Sequence, residues 1–150
     1  MYTQNIIDAL ERTPIIAATD SAGWEKAIAS DVEVLFHLSA NIMTIESDIK
    51  KAKANNKYIF VHIDLAEGIG KDRTGIQWLS QLGVDGIIST KAQLIRSAKD
   101  CGLTAIQRFF VLDSKGMGSI SEMIDTTRPD LIEIMPGVIP KVLSLFSEKE

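Results

Sequence analysis

The chain has 150 residues, of which 24% are charged and 45% hydrophobic, the proportions of an ordinary globular domain. The net charge of −4 argues against a broad nucleic-acid-binding surface, although a local basic patch is compatible with it. Cys101 is the only cysteine, so an intramolecular disulfide is excluded and a reducing cytoplasm is the simplest compartment. No apolar run approaches the roughly 20 residues that a membrane-spanning helix needs.

Six β-strands alternating with helices are predicted in chain order. A short amphipathic helix ends before Pro14, and the strands then start near residues 14, 32, 58, 86, 104 and 131. Helices are predicted from Asp20 onward and at 42–54, 73–82, 92–101, 119–126 and 138–146. Strands that recur every ~20–30 residues with a helix between them must pair in parallel, through right-handed crossovers.

Polar residues within the strands favour a barrel over an open, doubly wound sheet. His62, Asp64, Gln107 and Glu133 can all project into one barrel interior, while the residues that alternate with them face the helices. In a doubly wound sheet both faces are covered, and unpaired polar side chains there would be buried at a steep cost. The prediction is an α/β protein with a TIM-type (β/α) barrel, whose six βα units form a single domain over 1–150. The last two units of an eight-unit barrel are missing or not included.

Three carboxylates are predicted at the carboxyl ends of the strands: Asp64, Glu67 and Glu133. Asp64 lies two residues after His62, so on one continuous strand both side chains would point to the same face. The three acids can hydrogen-bond the hydroxyls of a small polyol phosphate, hold a divalent cation, or simply cap helices and pair with cations. His62 itself is interpreted as a neutral, hydrogen-bonding core residue rather than a general base.

The other predicted ligand contacts lie at the ends of the fourth and fifth strands. Gln107 and Arg108 are adjacent, so only one of them can face the interior of a regular strand, and Gln107 is favoured. Arg108 is then a ligand or loop contact, or a structural salt-bridge partner. Thr90 either reaches a ligand or caps the following helix. The predicted ligand-binding residues are therefore Asp64, Glu67, Thr90, Gln107, Arg108 and Glu133.

A local basic cluster lies at the end of the third helix and in the turn after it. It consists of Lys50, Lys51, Lys53 and Lys57. The cluster is either a contact surface for RNA or an ordinary solvated helix end that complements the helix dipole. No RNA-binding motif supports the first interpretation.

Four segments together carry a resemblance to a known family. They are FVHIDL (60–65) with Glu67 and Gly68, DGIIST (85–90), IQRFF (106–110) with LDS (112–114), and IEIMPG (132–137) with Pro140 and Lys141. In order and spacing these segments resemble the glycerol-3-phosphate-responsive antiterminator family, over residues from Pro14 to about Phe146.

The resemblance implies a cytoplasmic bacterial regulator with a TIM-barrel-like fold and no enzymatic activity. Such a protein binds glycerol 3-phosphate as its effector and acts on leader mRNA to prevent transcription termination. No other cofactor and no metal ligand set are expected, and the sequence leaves open whether a divalent metal binds. Family members continue into a further strand and a glycine-rich segment, where barrels commonly hold phosphate, and this chain ends before it. A homodimer is compatible with the sequence.

A second hypothesis is a barrel enzyme that acts on a small phosphorylated metabolite. It would be a metal-dependent phosphodiesterase, or a sugar-phosphate isomerase or lyase. The residues that transfer protons or hold the metal would then be His62, Asp64, Glu67 and Glu133. The sequence contains no Walker-type loop, no G-x-G-x-x-G and no His/Cys spacing typical of zinc, so the regulatory hypothesis is preferred.

Overall fold

The computed structural model describes residues 2–111 and 116–137, which form alternating helices and strands. The helices are α1 (Tyr2–Arg12), α2 (Trp24–Ala29), α3 (Ile45–Ala54), α4 (Arg73–Leu82), α5 (Ala92–Asp100) and α6 (Gly116–Thr127). The strands are β1 (Ile16–Thr19), β2 (Val34–His37), β3 (Tyr58–His62), β4 (Gly86–Ser89), β5 (Thr104–Phe110) and β6 (Leu131–Met135). Short 3₁₀ turns, Ser21–Gly23 and Ile63–Leu65, precede α2 and follow β3.

The six strands form one parallel sheet in which every strand pairs with its neighbours in sequence. The order is β1-β2-β3-β4-β5-β6, and each pair is parallel. A doubly wound sheet needs a point where the strand order reverses, and this sheet has none. The arrangement is a half-barrel, part of a TIM-type barrel, and it confirms the predicted fold class.

Two apolar clusters cover the two faces of the sheet. The outer face packs against α2 to α5, in a cluster that includes Leu35, Ile59 and Ile87 from the strands. The inner face carries a second cluster, made by Ile6, Ala9, Val34, Phe36, Phe60, Ile88 and Ile106. Successive strand residues alternate between these clusters. A side chain therefore points to the same face as the residues two positions before and after it in the strand.

Helix α1 covers the amino ends of the strands from the inner side. Ile6 and Ala9 of α1 are fully buried in the inner cluster. The hydroxyls of Thr3 and Thr104 lie 3.1 Å apart, and Arg12 pairs with Glu33 at 2.9 Å. Because α1 closes this end, the interior opens at the carboxyl ends of the strands.

Acidic side chains hold the starts of the strands in register. Asp85, fully buried just before β4, accepts a hydrogen bond from the Ile59 amide of β3 at 2.7 Å. Asp130, just before β6, accepts one from the Ala105 amide of β5 at 2.8 Å. In each pair the donor is the second residue of the preceding strand, so the same device is used twice.

Gly86, the first residue of β4, lies where the sheet leaves no room for a side chain. A Cβ added there would be 2.2 Å from the carbonyl oxygen of Thr104 and 2.4 Å from the ring of Phe60. The glycine therefore lets β4 approach β5 while the Phe60 ring fills the interior beneath it.

Several predicted boundaries differ from the structure. The third helix begins at Ile45 rather than at Ile42, and the Ile42 side chain is 46% exposed. The third strand ends at His62, and the chain turns in a 3₁₀ helix that leaves Leu65 exposed. The predicted helix 138–146 lies outside the described residues. Within the part of the chain that the structure describes, no helix is long and apolar enough to cross a membrane.

Candidate functional site

An arginine–glutamate pair lies at the open end of the half-barrel. Arg108 of β5 and Glu133 of β6 are register partners, and both point inward because Ile106 and Leu131, two residues earlier, face the inner cluster. Arg108 Nε donates to Glu133 Oε2 at 2.6 Å, and a guanidinium nitrogen donates to Oε1 at 3.1 Å. The side chains are 13% and 23% exposed, so this bidentate pair is partly withdrawn from water.

Asp64 is held at the same end of the sheet by the residues that end β4. Its Oδ1 accepts from the Ser89 hydroxyl at 2.6 Å, and its Oδ2 accepts from the Thr90 amide and hydroxyl, both at 2.8 Å. Burial alone would raise the pKa of the Asp64 carboxyl, but the hydrogen bonds from Ser89 and Thr90 outweigh it and lower the pKa. Asp64 is therefore an ionised, oriented carboxylate.

Register places these groups at one level of the interior. Ser89, the last residue of β4, pairs with Gln107, and Thr90 and Arg108 each follow one residue later. Asp64 is bonded to Thr90, and Glu133 to Arg108. We call Asp64, Thr90, Arg108 and Glu133 the polar arc. It presents two carboxylates, a guanidinium and a hydroxyl along one edge of the interior.

His62 lies one level below the polar arc, on the inner face of β3. It is two residues from Phe60 of the inner cluster, and its register partner is Ile88. The ring is only 2% exposed, and neither Nδ1 nor Nε2 has a hydrogen-bond partner among the described residues. Burial lowers the pKa of His62, and the charge of Arg108 lowers it further, against the opposing effect of Asp64 and Glu133.

An apolar cavity of about 310 Å³ adjoins one member of the polar arc. It extends between the first and last strands of the sheet and includes Glu133 in its wall. The other lining residues are Leu10, Ile16, Ala18, Phe36, Ile106, Leu131 and Ile132. A concave apolar surface with a few convergent polar groups is the usual form of a small-molecule site.

The predicted orientation of Gln107 is wrong. Gln107 faces outward to α6, where its Oε1 accepts from the Thr127 hydroxyl at 2.6 Å and its Nε2 lies 3.1 Å from the sulfur of Met123. Strand alternation allowed only one inward residue of this pair, and that residue is Arg108. Which of the two side chains faces the interior depends on tertiary partners: Glu133 lies opposite Arg108, and α6 lies opposite Gln107.

Glu67 lies apart from the polar arc. Its Oε2 accepts from Asn41 at 3.1 Å, its amide donates to Ala40, and its carbonyl accepts from Ile42. These bonds join the loop after β3 to the loop after β2. Among the described residues, no group of three His, Cys, Asp or Glu side chains is arranged to hold a metal ion.

The four lysines of the predicted basic cluster each have a protein partner. Lys50 pairs with Glu46 at 2.8 Å, Lys51 with Glu25, and Lys53 with Asp85. Lys57 donates to the carbonyl oxygens of Ser30 and Val32 at 2.6 and 2.7 Å. The cluster lies at the carboxyl end of α3 and the start of β3, which is the end of the sheet opposite to the polar arc.

Two features of this site were not anticipated from the sequence. The first is that no described residue hydrogen-bonds the His62 ring, which only the three-dimensional neighbours can show. The second is an apolar pair above the polar arc: Phe110 and Met135 are register partners, 58% and 36% exposed. Alternate residues of a strand share a face, so Phe110 points inward with Arg108. The sequence therefore predicts this second feature once Arg108, rather than Gln107, is assigned to the interior.

Comparison with known proteins identifies the family. The family model described as glycerol-3-phosphate responsive antiterminator matches residues 15–150. The uncharacterised protein YgcP of Escherichia coli (strain K12) is 40% identical over 146 residues, covering 96% of this chain and 76% of that protein.

Two crystal structures share the fold. One is a glycerol uptake operon antiterminator regulatory protein from Listeria monocytogenes, with a TM-score of 0.82 and 31% identity over 90% of this chain and 74% of that one. The other is a glycerol uptake operon antiterminator-related protein from Thermotoga maritima, with a TM-score of 0.77 and 34% identity over 87% and 76%. The chain belongs to the glycerol-3-phosphate responsive antiterminator family.

Proposed function

We propose that this protein is a cytoplasmic transcription antiterminator that binds glycerol 3-phosphate at the polar arc and, in response, binds leader mRNA of glycerol catabolic genes. The single observation that carries the effector part is the Arg108–Glu133 pair beside the apolar cavity. A family model for glycerol-3-phosphate response, matched over residues 15–150, supports the choice of ligand.

The chemistry of the arc suits a small polyol phosphate. A guanidinium has five N–H donors, and Glu133 uses two of those on Arg108, so the others are available to phosphate or hydroxyl oxygens. The carboxylates of Glu133 and Asp64 accept hydrogen bonds from alcohol hydroxyls. We therefore assign Arg108, Glu133, Asp64 and Thr90 as effector contacts, whereas the amide of Gln107 and the carboxylate of Glu67 are engaged by other elements.

A regulatory role without catalysis accounts best for these residues. The carboxylates that an enzyme would use as a metal or acid/base set have separate partners: Asp64 with Ser89 and Thr90, Glu133 with Arg108, and Glu67 with Asn41. The hydrogen bonds to Asp64 stabilise its charged form, which suits recognition of a ligand rather than proton transfer.

Effector binding can act on RNA by shifting a conformational equilibrium. The ligand would stabilise whichever arrangement of the strand ends and their loops it contacts most strongly. At the opposite end of the sheet, three lysines of the cluster are in ion pairs and Lys57 is bonded to backbone carbonyls, so we place the RNA-responsive surface at the open end of the half-barrel.

The test combines two titrations. Calorimetry with sn-glycerol 3-phosphate should show saturable binding, weakened about tenfold or more by Arg108→Gln, because a charged hydrogen-bond donor is lost. The surface variant Lys50→Gln serves as the matched control and should bind like the parent protein. Filter binding of the leader transcript, with and without the effector, then tests the response. Equal RNA affinity in both conditions, or turnover of the effector during the titration, would contradict the proposal.

A further inference from the structure

The two histidines of this chain have opposite surroundings. His37, on the outer face, has both ring nitrogens engaged: Nε2 lies 3.0 Å from Asp48 Oδ2, and Nδ1 accepts from the Ser39 amide at 3.3 Å. His62, on the inner face, is just as deeply buried, yet neither of its ring nitrogens has a partner among the described residues. The part of the chain that the structure describes therefore satisfies His37 but not His62.

A buried polar group without a partner is uncommon in a folded protein. More than about nine in ten such groups are hydrogen-bonded, because leaving one unsatisfied costs its full desolvation free energy. The groups electrostatically coupled to His62 are Arg108, Asp64 and Glu133. These three residues bond to one another or to Ser89 and Thr90, and none of them makes a hydrogen bond to the imidazole.

His62 lies on the same inner side of the sheet as the proposed effector site. Its side chain shares the inner face with Phe60 and lies one level below Asp64 and Arg108. A ligand held by the polar arc would therefore have the imidazole beneath it. The lowered pKa keeps the ring neutral near pH 7, so it offers one donor and one acceptor.

This combination matches an alcohol hydroxyl, which also both donates and accepts. Phosphate oxygens at neutral pH chiefly accept, and the Arg108 guanidinium serves them better. We propose that His62 is a ligand-binding residue of the effector site, where its ring hydrogen-bonds a hydroxyl of the glycerol part and so selects a polyol phosphate over a plain alkyl phosphate. This inference rests on the proposed function, since it assigns a role within the same effector site.

The direct test uses the imidazole nitrogens as probes. A protein labelled with ¹⁵N-histidine shows only two rings, and His37→Gln assigns which signals belong to which. Titration with sn-glycerol 3-phosphate should shift the ring ¹⁵N signals of His62 and leave those of His37 in place. Saturable binding in calorimetry with an unmoved His62 ring would overturn the inference while the proposed function survives. Absence of any binding would overturn both.

The second test measures specificity. Propyl phosphate has the same phosphate and carbon chain as the effector but no hydroxyl. His62→Leu should weaken sn-glycerol 3-phosphate about tenfold or more, because a hydrogen bond to a buried group is lost, and leave propyl phosphate almost unchanged. His62→Gln, which keeps a donor and an acceptor, should recover part of the loss. Equal weakening of both ligands by His62→Leu would mean a structural role and would refute selection by His62.

Discussion

Removing the Glu133 carboxylate should destabilise the fold, because it leaves the positive charge of Arg108 without its partner. In Glu133→Leu, the Arg108 guanidinium stays at a position that is only 13% exposed, with its bidentate partner gone. Breaking a fully buried pair costs about 3–5 kcal/mol, and the residual exposure of this pair reduces the expected cost to roughly 2–3 kcal/mol. For a chain of 150 residues this corresponds to a lower melting temperature by about 5–10 °C.

The assay is urea unfolding of the single variants and the double variant. Glu46→Gln, which removes the exposed ion pair with Lys50 on α3, is the matched control and should change the free energy of unfolding little. Arg108→Met combined with Glu133→Leu should recover much of the stability, because no unpaired charge is then left in the interior. If Glu133→Leu is as mild as the control, or if the double variant is no better than the single one, the reasoning is refuted.

Two further predictions concern packing and pH. Gly86→Ala should lower the free energy of unfolding by about 1–3 kcal/mol, because the new Cβ would meet a backbone oxygen and an aromatic ring. Gly118→Ala on α6, where a Cβ would enter open space, is the control and should be neutral or stabilising. Thermal unfolding of the two variants compares them. Folding lowers the pKa of His62 from its usual 6.5, so near and below that pH the unfolded chain binds more protons than the folded one. The free energy of unfolding should therefore fall as the pH drops below 6.5, and His62→Gln should remove this fall. The lowered pKa of Asp64 adds a second loss below pH 3.8, and urea midpoints measured against pH resolve the two.

The strands were predictable because their local sequences and their spacing agree. β5 and β6 begin at Thr104 and Leu131, where strand starts were predicted. Helix ends likewise follow from local residue types: Asp72 accepts from the Gly75 amide at the start of α4, and Gly102 has a left-handed φ of 74° just after α5. These features depend on a few neighbouring residues, so the sequence contains them directly.

The site was only partly predictable because side-chain direction depends on distant residues. Asp64 was placed on a strand, since an alternating pattern does not distinguish a strand from the 3₁₀ turn that replaces it after His62. Gln107 and Arg108 were exchanged, since alternation specifies that one faces inward but not which. The partners of Lys51 and Lys53, Glu25 and Asp85, are 26 and 32 residues away, and no local pattern connects them.

The aspartates before β4 and β6 have a consequence for how this scaffold can change over time. A slip of one residue between β3 and β4 would separate the buried Asp85 carboxylate from the Ile59 amide and leave a charge in the interior without that donor. Strand alignment is thus decided at the amino ends, far from the polar arc. The loops at the other end can therefore diverge in length and sequence without shifting this alignment, whereas changes at Arg108 or Glu133 alter ligand contacts and stability together.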